Sequence, residues 1–140
     1  MTKKLMGVRI QSLLSSIHKK NLDGSQRILA LGGVTNTQFD ILTQLYEHES
    51  LTQTEIAELL RVTKGNITQV LKIMEREEVI ERRQDWKTRH ITLTEKGKLL
   101  CLSSTPILQN YQDSFYQPLT DDEQEQLVAL LAKLNTEETK

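Results

Sequence analysis

The stretch VTKGNITQVLKIMEREEVIERR, residues 62–83, decides the fold of this chain. Ile67, Val70, Leu71 and Met74 recur at helical spacing and share one face of a helix running from about 63 to 77. The other face is small and hydrogen-bonding: Thr63, Lys64, Gly65 and Asn66, then Thr68, Gln69 and Lys72. Thr63 suits the N-cap. At Val79 the period changes. Val79, Glu81 and Arg83 alternate with Ile80 and Arg82, and Ile91 and Leu93 later alternate with His90 and Thr92. Two short strands around Gln84–Thr88 therefore make a hairpin.

Upstream, Thr52-Gln53-Thr54-Glu55 is a capping box ahead of Ile56, Leu59 and Leu60, and this short helix stops near Arg61-Val62. Before it lies a helix with a Phe39, Leu42, Leu45 and Tyr46 stripe, capped by Thr35 or Thr37, with a break at 49–51. Helix, helix, short helix, longer helix and hairpin make a winged helix-turn-helix. Residues 52–77 supply the crossing helices and 79–93 the wing. The expected fold is mainly α with a small β-hairpin wing, flanked by N- and C-terminal helices. The N-terminal helix spans 5–22 on Leu5, Val8, Leu13, Leu14 and Ile17, and Asn21, Asp23 and Gly24 mark its end. Residues 25–33 are ambiguous and run to a loop at Gly32-Gly33. Thr94 caps a long helix over 95–116, which Pro106 should kink or interrupt. Thr120-Asp121-Asp122-Glu123 is a second capping box, opening a last helix with Leu127, Leu130, Leu131 and Leu134.

With 140 residues, the chain is the size of a single domain with a real core. The formal charge of −1 hides an uneven distribution. Residues 1–30 carry six basic side chains against one acid, 52–98 ten against eight, and 113–140 two against seven. A nucleic-acid binder needs only a local positive face. Aromatic residues, at 4%, are too few for a wide aromatic groove. One cysteine excludes an intramolecular disulfide. No secretory signal or membrane-length apolar run is present, so a cytoplasmic protein with no membrane partner is the expectation.

The two-sided helix has a physical reason. A recognition helix must lie in a major groove about 12 Å wide and touch base edges near its N-terminus. Bulky apolar residues there would block contact. Gly65 permits close backbone approach, Asn66, Thr68 and Gln69 carry base-reading groups, and Lys64 and Lys72 reach phosphates or guanine. On the wing, Arg82, Arg83, Lys87 and Arg89 cluster, and arginine suits a narrow minor groove. Asp85 is placed to hold Arg89 by a charge-assisted pair.

These stretches together resemble the MarR family of bacterial transcription regulators. The resemblance is carried by TNTQFDIL at 35–42, LTQTEIAELLRVTKGNITQVLKIMEREEVIERR at 51–83, the Asp85…Arg89 wing tip and LTEKG at 93–97. It covers 35–97 strongly and the flanking helices in layout only. It implies a homodimer whose terminal helices (about 1–30 and 98–140) form the dimerisation part, with the winged domains straddling a palindromic double-stranded operator. Gly65, Asn66, Thr68 and Gln69 would face bases, and Arg89, supported by Asp85, would enter the minor groove. Many members are repressors released by small aromatic acids, lipophilic toxins, metals or thiol oxidants. There are departures. The hairpin between Arg89 and Leu93 is about two residues shorter than the usual pattern, which shortens the wing's reach; the even number preserves strand alternation. Trp86 stands where a proline is common.

Plainer readings stand beside these. Residues 64–72 would be a solvated helix face if the wing were absent. Arg82 and Arg83 would be surface charges if paired with Glu81 or Glu78. Cys101, after Leu99-Leu100 inside a helix, reads as a buried inert thiol rather than a sensor. His18, His48 and His90 have no ligand-like spacing, so no metal or cofactor is expected. Ligand pockets in the family lie between the terminal helices and the winged domain. Candidates here are Ile10, Leu14, Ile17, Phe39, Tyr46 and Tyr111, although such a stripe is more often core. A protein-interaction module built on a winged helix is the alternative function. The lysines and amides of the recognition face argue against it. No nucleophilic set, phosphate loop or metal motif suggests an enzyme.

Overall fold

The computed structural model describes residues 5–136. In chain order the elements are α1 (Met6–Ala30), α2 (Asn36–His48), α3 (Gln53–Leu60), α4 (Lys64–Arg76), β1 (Ile80–Asp85), β2 (Thr88–Leu93), α5 (Glu95–Phe115) and α6 (Asp121–Leu134). Threonine begins every described helix but the first: Thr35, Thr52, Thr63, Thr94 and Thr120 each accept a hydrogen bond from the backbone N–H three residues on. Such a cap contributes about 0.5–2 kcal/mol. Gln38, Glu55 and Glu123 close capping boxes by accepting from the cap residue's own N–H. Thr35, not Thr37, caps α2.

The core lies where α2, α3 and α4 meet the base of the hairpin. Ile41, Ile56, Ile67, Leu71 and Ile91 are fully buried, and Leu29 and Cys101 join from α1 and α5. The strands pair antiparallel, Ile80 opposite Leu93 and Asp85 opposite Thr88. Leu51 bridges to Ile91 from the other side, through hydrogen bonds of 3.1 and 2.8 Å. α5 starts hard against β1. The Thr94 hydroxyl donates to the Glu78 carbonyl at 2.6 Å, and a Cβ on Gly97 would collide with the Val79 carbonyl. That contact explains the glycine of LTEKG.

Three expectations need correction. α1 does not end at Asn21–Gly24 but continues to Ala30. Gly24 is the point where α1 crosses α5, because any Cβ there would strike the Tyr111 ring. Ser25 is held in the helix by donating to the Leu22 carbonyl at 3.0 Å. Pro106 does not interrupt α5. It lies on the exposed side, where water can take up the carbonyl it leaves free, and Thr105 beside it donates its hydroxyl to the Cys101 carbonyl at 2.8 Å. The wing loop is two residues, Trp86-Lys87, because the strands extend into the expected loop.

Candidate nucleic-acid interface

The αL backbone of Arg61, φ 57°, turns the chain out of α3, and the Thr63 cap starts α4 three residues later. Ile67, Leu71 and Met74 are buried while Val70 is half-buried, so the apolar stripe locks α4 by one face. Lys64, Gly65, Asn66, Gln69 and Lys72 are all exposed on the other. Gly65 differs from Gly24 and Gly97. The nearest atom to a Cβ there is the Thr63 hydroxyl oxygen at 4.0 Å, so nothing in the chain's own packing requires a glycine.

Thr68 is placed differently from its neighbours. It is half-buried, its hydroxyl donating to the Lys64 carbonyl at 2.8 Å and accepting from Gln53 Nε2 at 2.6 Å. Gln53 in turn accepts from Arg82 Nη1 at 3.5 Å, and Arg82 Nε meets Glu75 Oε1 at 3.1 Å. This chain of contacts joins α3, α4 and β1. Only 16% of the Arg82 side chain is exposed, so its guanidinium is spent on fixing the wing to α4. Its partner is Glu75 rather than Glu78 or Glu81. Sequence reasoning missed Gln53 and Glu75, because nothing local links them to a strand residue across the turn.

The register decides which wing residues act together. Arg82 and Arg89 share a face with Ile80, Ile91 and Leu93, whereas Glu81, Arg83, Asp85 and His90 lie on the opposite one. The expected Asp85–Arg89 pair is therefore absent: the two side chains leave the hairpin on opposite faces, and no ion pair joins them. Arg83 approaches Glu81 at 3.9 Å with both side chains largely exposed. Among the described residues, Lys64, Lys72, Lys87 and Arg89 have no acidic group within ion-pair distance. The Lys87 ammonium sits 5.7 Å from the centre of the Trp86 ring. His90 Nδ1 lies 3.3 Å from the Ser50 hydroxyl.

The six ligand-pocket candidates do not converge. Phe39 is in the core, and Ile10 and Ile17 are exposed on α1. Leu14 borders an open groove with Val128, Leu131 and Leu134 of α6. Tyr46 lines a separate groove of about 490 Å³ with Glu49, Glu81, Arg83 and Lys98. Tyr111 packs between Gly24 and Phe115. Cys101 is buried, and burial pushes its thiol above the usual range, against weaker lowering by the Thr105 and Thr43 hydroxyls. Among the described residues no group of three or more His, Cys, Asp or Glu side chains is arranged to hold a metal ion, and no helix is long and apolar enough to cross a membrane.

The MarR family model matches residues 34–89. An uncharacterized HTH-type transcriptional regulator of Bacillus cereus is 38% identical over 112 residues, covering 79% of this chain and 76% of that protein. The HTH-type transcriptional regulator PrsX of Escherichia coli is 28% identical over 130 residues, covering 89% of this chain and 78% of its own. Among solved structures, a mutant MarR from E. coli complexed with operator DNA superposes with TM-score 0.83 at 21% identity, covering 97% of this chain and 100% of that one. A MarR family protein from Bacillus stearothermophilus superposes with TM-score 0.81 at 23% identity, covering 96% of each chain.

Proposed function

The chain belongs to the MarR family of transcriptional regulators and has its DNA-binding winged helix-turn-helix fold, and from that premise we propose that it acts as a cytoplasmic homodimeric repressor on a palindromic double-stranded operator. The exposed face of α4 enters the major groove. Gly65 allows close approach, Asn66 and Gln69 read base edges, and Lys64 and Lys72 hold phosphates. Arg89 reaches the minor groove from the wing, with Lys87 on the backbone. Thr68 and Arg82 act from behind, one seating α3 on α4 and the other setting the angle of the wing.

The observation that carries this reading is the division of α4. One face is buried, and the other combines unpaired lysines, free amides and a glycine that the fold itself does not need. A face of this chemistry suits a polyanion and disfavours the protein-interaction alternative. Two further features support the dimer. α6 buries none of its residues, and Leu13 and Ile17 of α1 with Leu130 and Leu134 of α6 stand exposed. Two-fold symmetry then sets the half-sites roughly 10 bp apart, centre to centre. A small-molecule effector would work by changing the distance between the two α4 helices.

The test is a fluorescence-anisotropy titration of the full chain against the duplex upstream of its own gene, at several salt concentrations, with a scrambled duplex alongside. The expected result is tight binding to the upstream duplex alone, with a log–log salt slope of several units. Equal, weak binding to both duplexes, followed by no enrichment from a random-sequence pool, would sink the proposal.

A further inference from the structure

Trp86 is the only tryptophan in the chain, and it stands at the apex of the wing with 86% of its surface exposed. Two physical costs meet at this position. A large apolar ring is left in water, and the backbone has φ +62°, a conformation that a two-residue loop normally gives to glycine. Among the described residues little offsets them: the Lys87 ammonium stands over the ring at 5.7 Å, and no aromatic side chain stacks on it. The loop is nonetheless held in shape, because the Gln84 side-chain amide donates to the Trp86 carbonyl at 3.0 Å. The surrounding charge is basic on balance: Lys87 follows Trp86, Asp85 precedes it, and Arg83 and Arg89 stand further along the two strands. An exposed indole on a strained backbone, with three cations against one carboxylate around it, suits a partner that is both polyanionic and able to shelter a flat ring.

We propose that Trp86 is a minor-groove contact of the wing, inserted beside Arg89 and favouring A·T pairs where it lies. The proposal rests on the DNA-binding reading above. The chemistry matches on both sides. The indole Nε1–H is a donor with no acceptor capacity, and the floor of the minor groove at A·T pairs offers acceptors only. The ring itself lines the groove wall as an apolar wedge, and pyrimidine–purine steps, which unstack easily, accept such wedges best. The indole thus extends a wing whose hairpin is short.

Because Trp86 is the sole tryptophan, its emission reports on this contact alone. The full chain is titrated with a duplex selected from a random-sequence pool, and the anisotropy of a dye on the duplex records binding independently. At saturation the indole emission should fall in intensity and shift to the blue, and its quenching by acrylamide should drop several-fold. Trp86→Ala should weaken binding roughly tenfold with the salt slope unchanged, because no counterion is released by an apolar contact. Trp86→Phe should keep much of the affinity and lose the A·T preference. Trp86→Gly should melt at the same temperature or higher, confirming that lost binding is not lost folding. Binding by anisotropy with emission and quenching unchanged would overturn the Trp86 contact and leave the DNA reading standing. Absence of binding to any selected duplex would overturn both.

Discussion

The winged part and the terminal helices both present side chains to solvent, but of opposite kinds. Around α4 the stripe of Ile67, Leu71 and Met74 is buried, Ile73 alone among the helix's apolar residues is exposed, and the rest of the outer face near the N-terminus is cationic and amide-rich. On α1 and α6 the exposed residues include a run of aliphatics, and α6 buries nothing within its own chain. A folded chain leaves such surfaces open for different reasons. Lysines, amides and a glycine on a rigid helix are at ease in water and gain from an anionic partner. A leucine stripe along a 14-residue helix is costly in water and gains from another apolar surface. In the proposed function the first region meets DNA and the second is covered by another copy of the chain.

The largest effect should come from the apolar side. Leu130→Glu places a charge in the proposed interface and should cost self-association about 3–5 kcal/mol. Sedimentation should find a monomer, and circular dichroism should find the same helical content. A dimer of unchanged strength would remove α6 from the interface.

Next comes the contrast between the two faces of α4. Leu71→Ala should lower stability by about 2–5 kcal/mol in urea unfolding. Gln69→Ala should leave unfolding unchanged while costing about 1–3 kcal/mol of specific binding and relaxing sequence preference at one position. If both variants lose stability and binding in parallel, α4 does not divide as described.

The glycines sharpen the same point with smaller effects. Gly97→Ala must push the Val79 backbone and should destabilise by about 1–3 kcal/mol. Gly65→Ala meets open space and should stabilise α4 by about 0.5–1 kcal/mol, yet bind DNA less well. Thermal melts and anisotropy titrations of the two variants separate fold from contact.

The smallest effect concerns Cys101. Burial raises its thiol pKa, so at any given pH its thiolate fraction lies below that of a free cysteine, and the deficit closes only as pH rises through the raised value. Reaction with an aromatic disulfide at pH 8 should therefore be much slower than in unfolded protein, and DNA binding should survive exposure to mild oxidant. Rapid modification with loss of binding would make the thiol a sensor.

Much of this was legible in the sequence. The stripe of α4, the threonine caps and the period change at Val79 are local patterns, and local patterns survive into the fold because capping and amphipathic burial act within a few residues. What could not be read depends on partners far along the chain. Gly24 looks like a helix end until α5 brings Tyr111 against it. Pro106 looks like a break, but it lies on the exposed side of α5. Arg82 looks like a DNA contact until the hairpin register brings it to Glu75 and Gln53. The expected Asp85–Arg89 pair failed for the same reason, since a two-residue loop sends the two side chains to opposite faces. Arg89, Lys64 and Lys72, with no such partners among the described residues, kept the exposure that the sequence suggested.

The most direct test of the central claim is selection from a random-sequence duplex pool by the wild-type chain and by Gln69→Ala in parallel. The wild type should enrich an inverted repeat with half-sites roughly 10 bp apart, and the variant the same repeat with one symmetry-related position relaxed. Enrichment of the same sequence by both proteins, with no position relaxed, would contradict that claim.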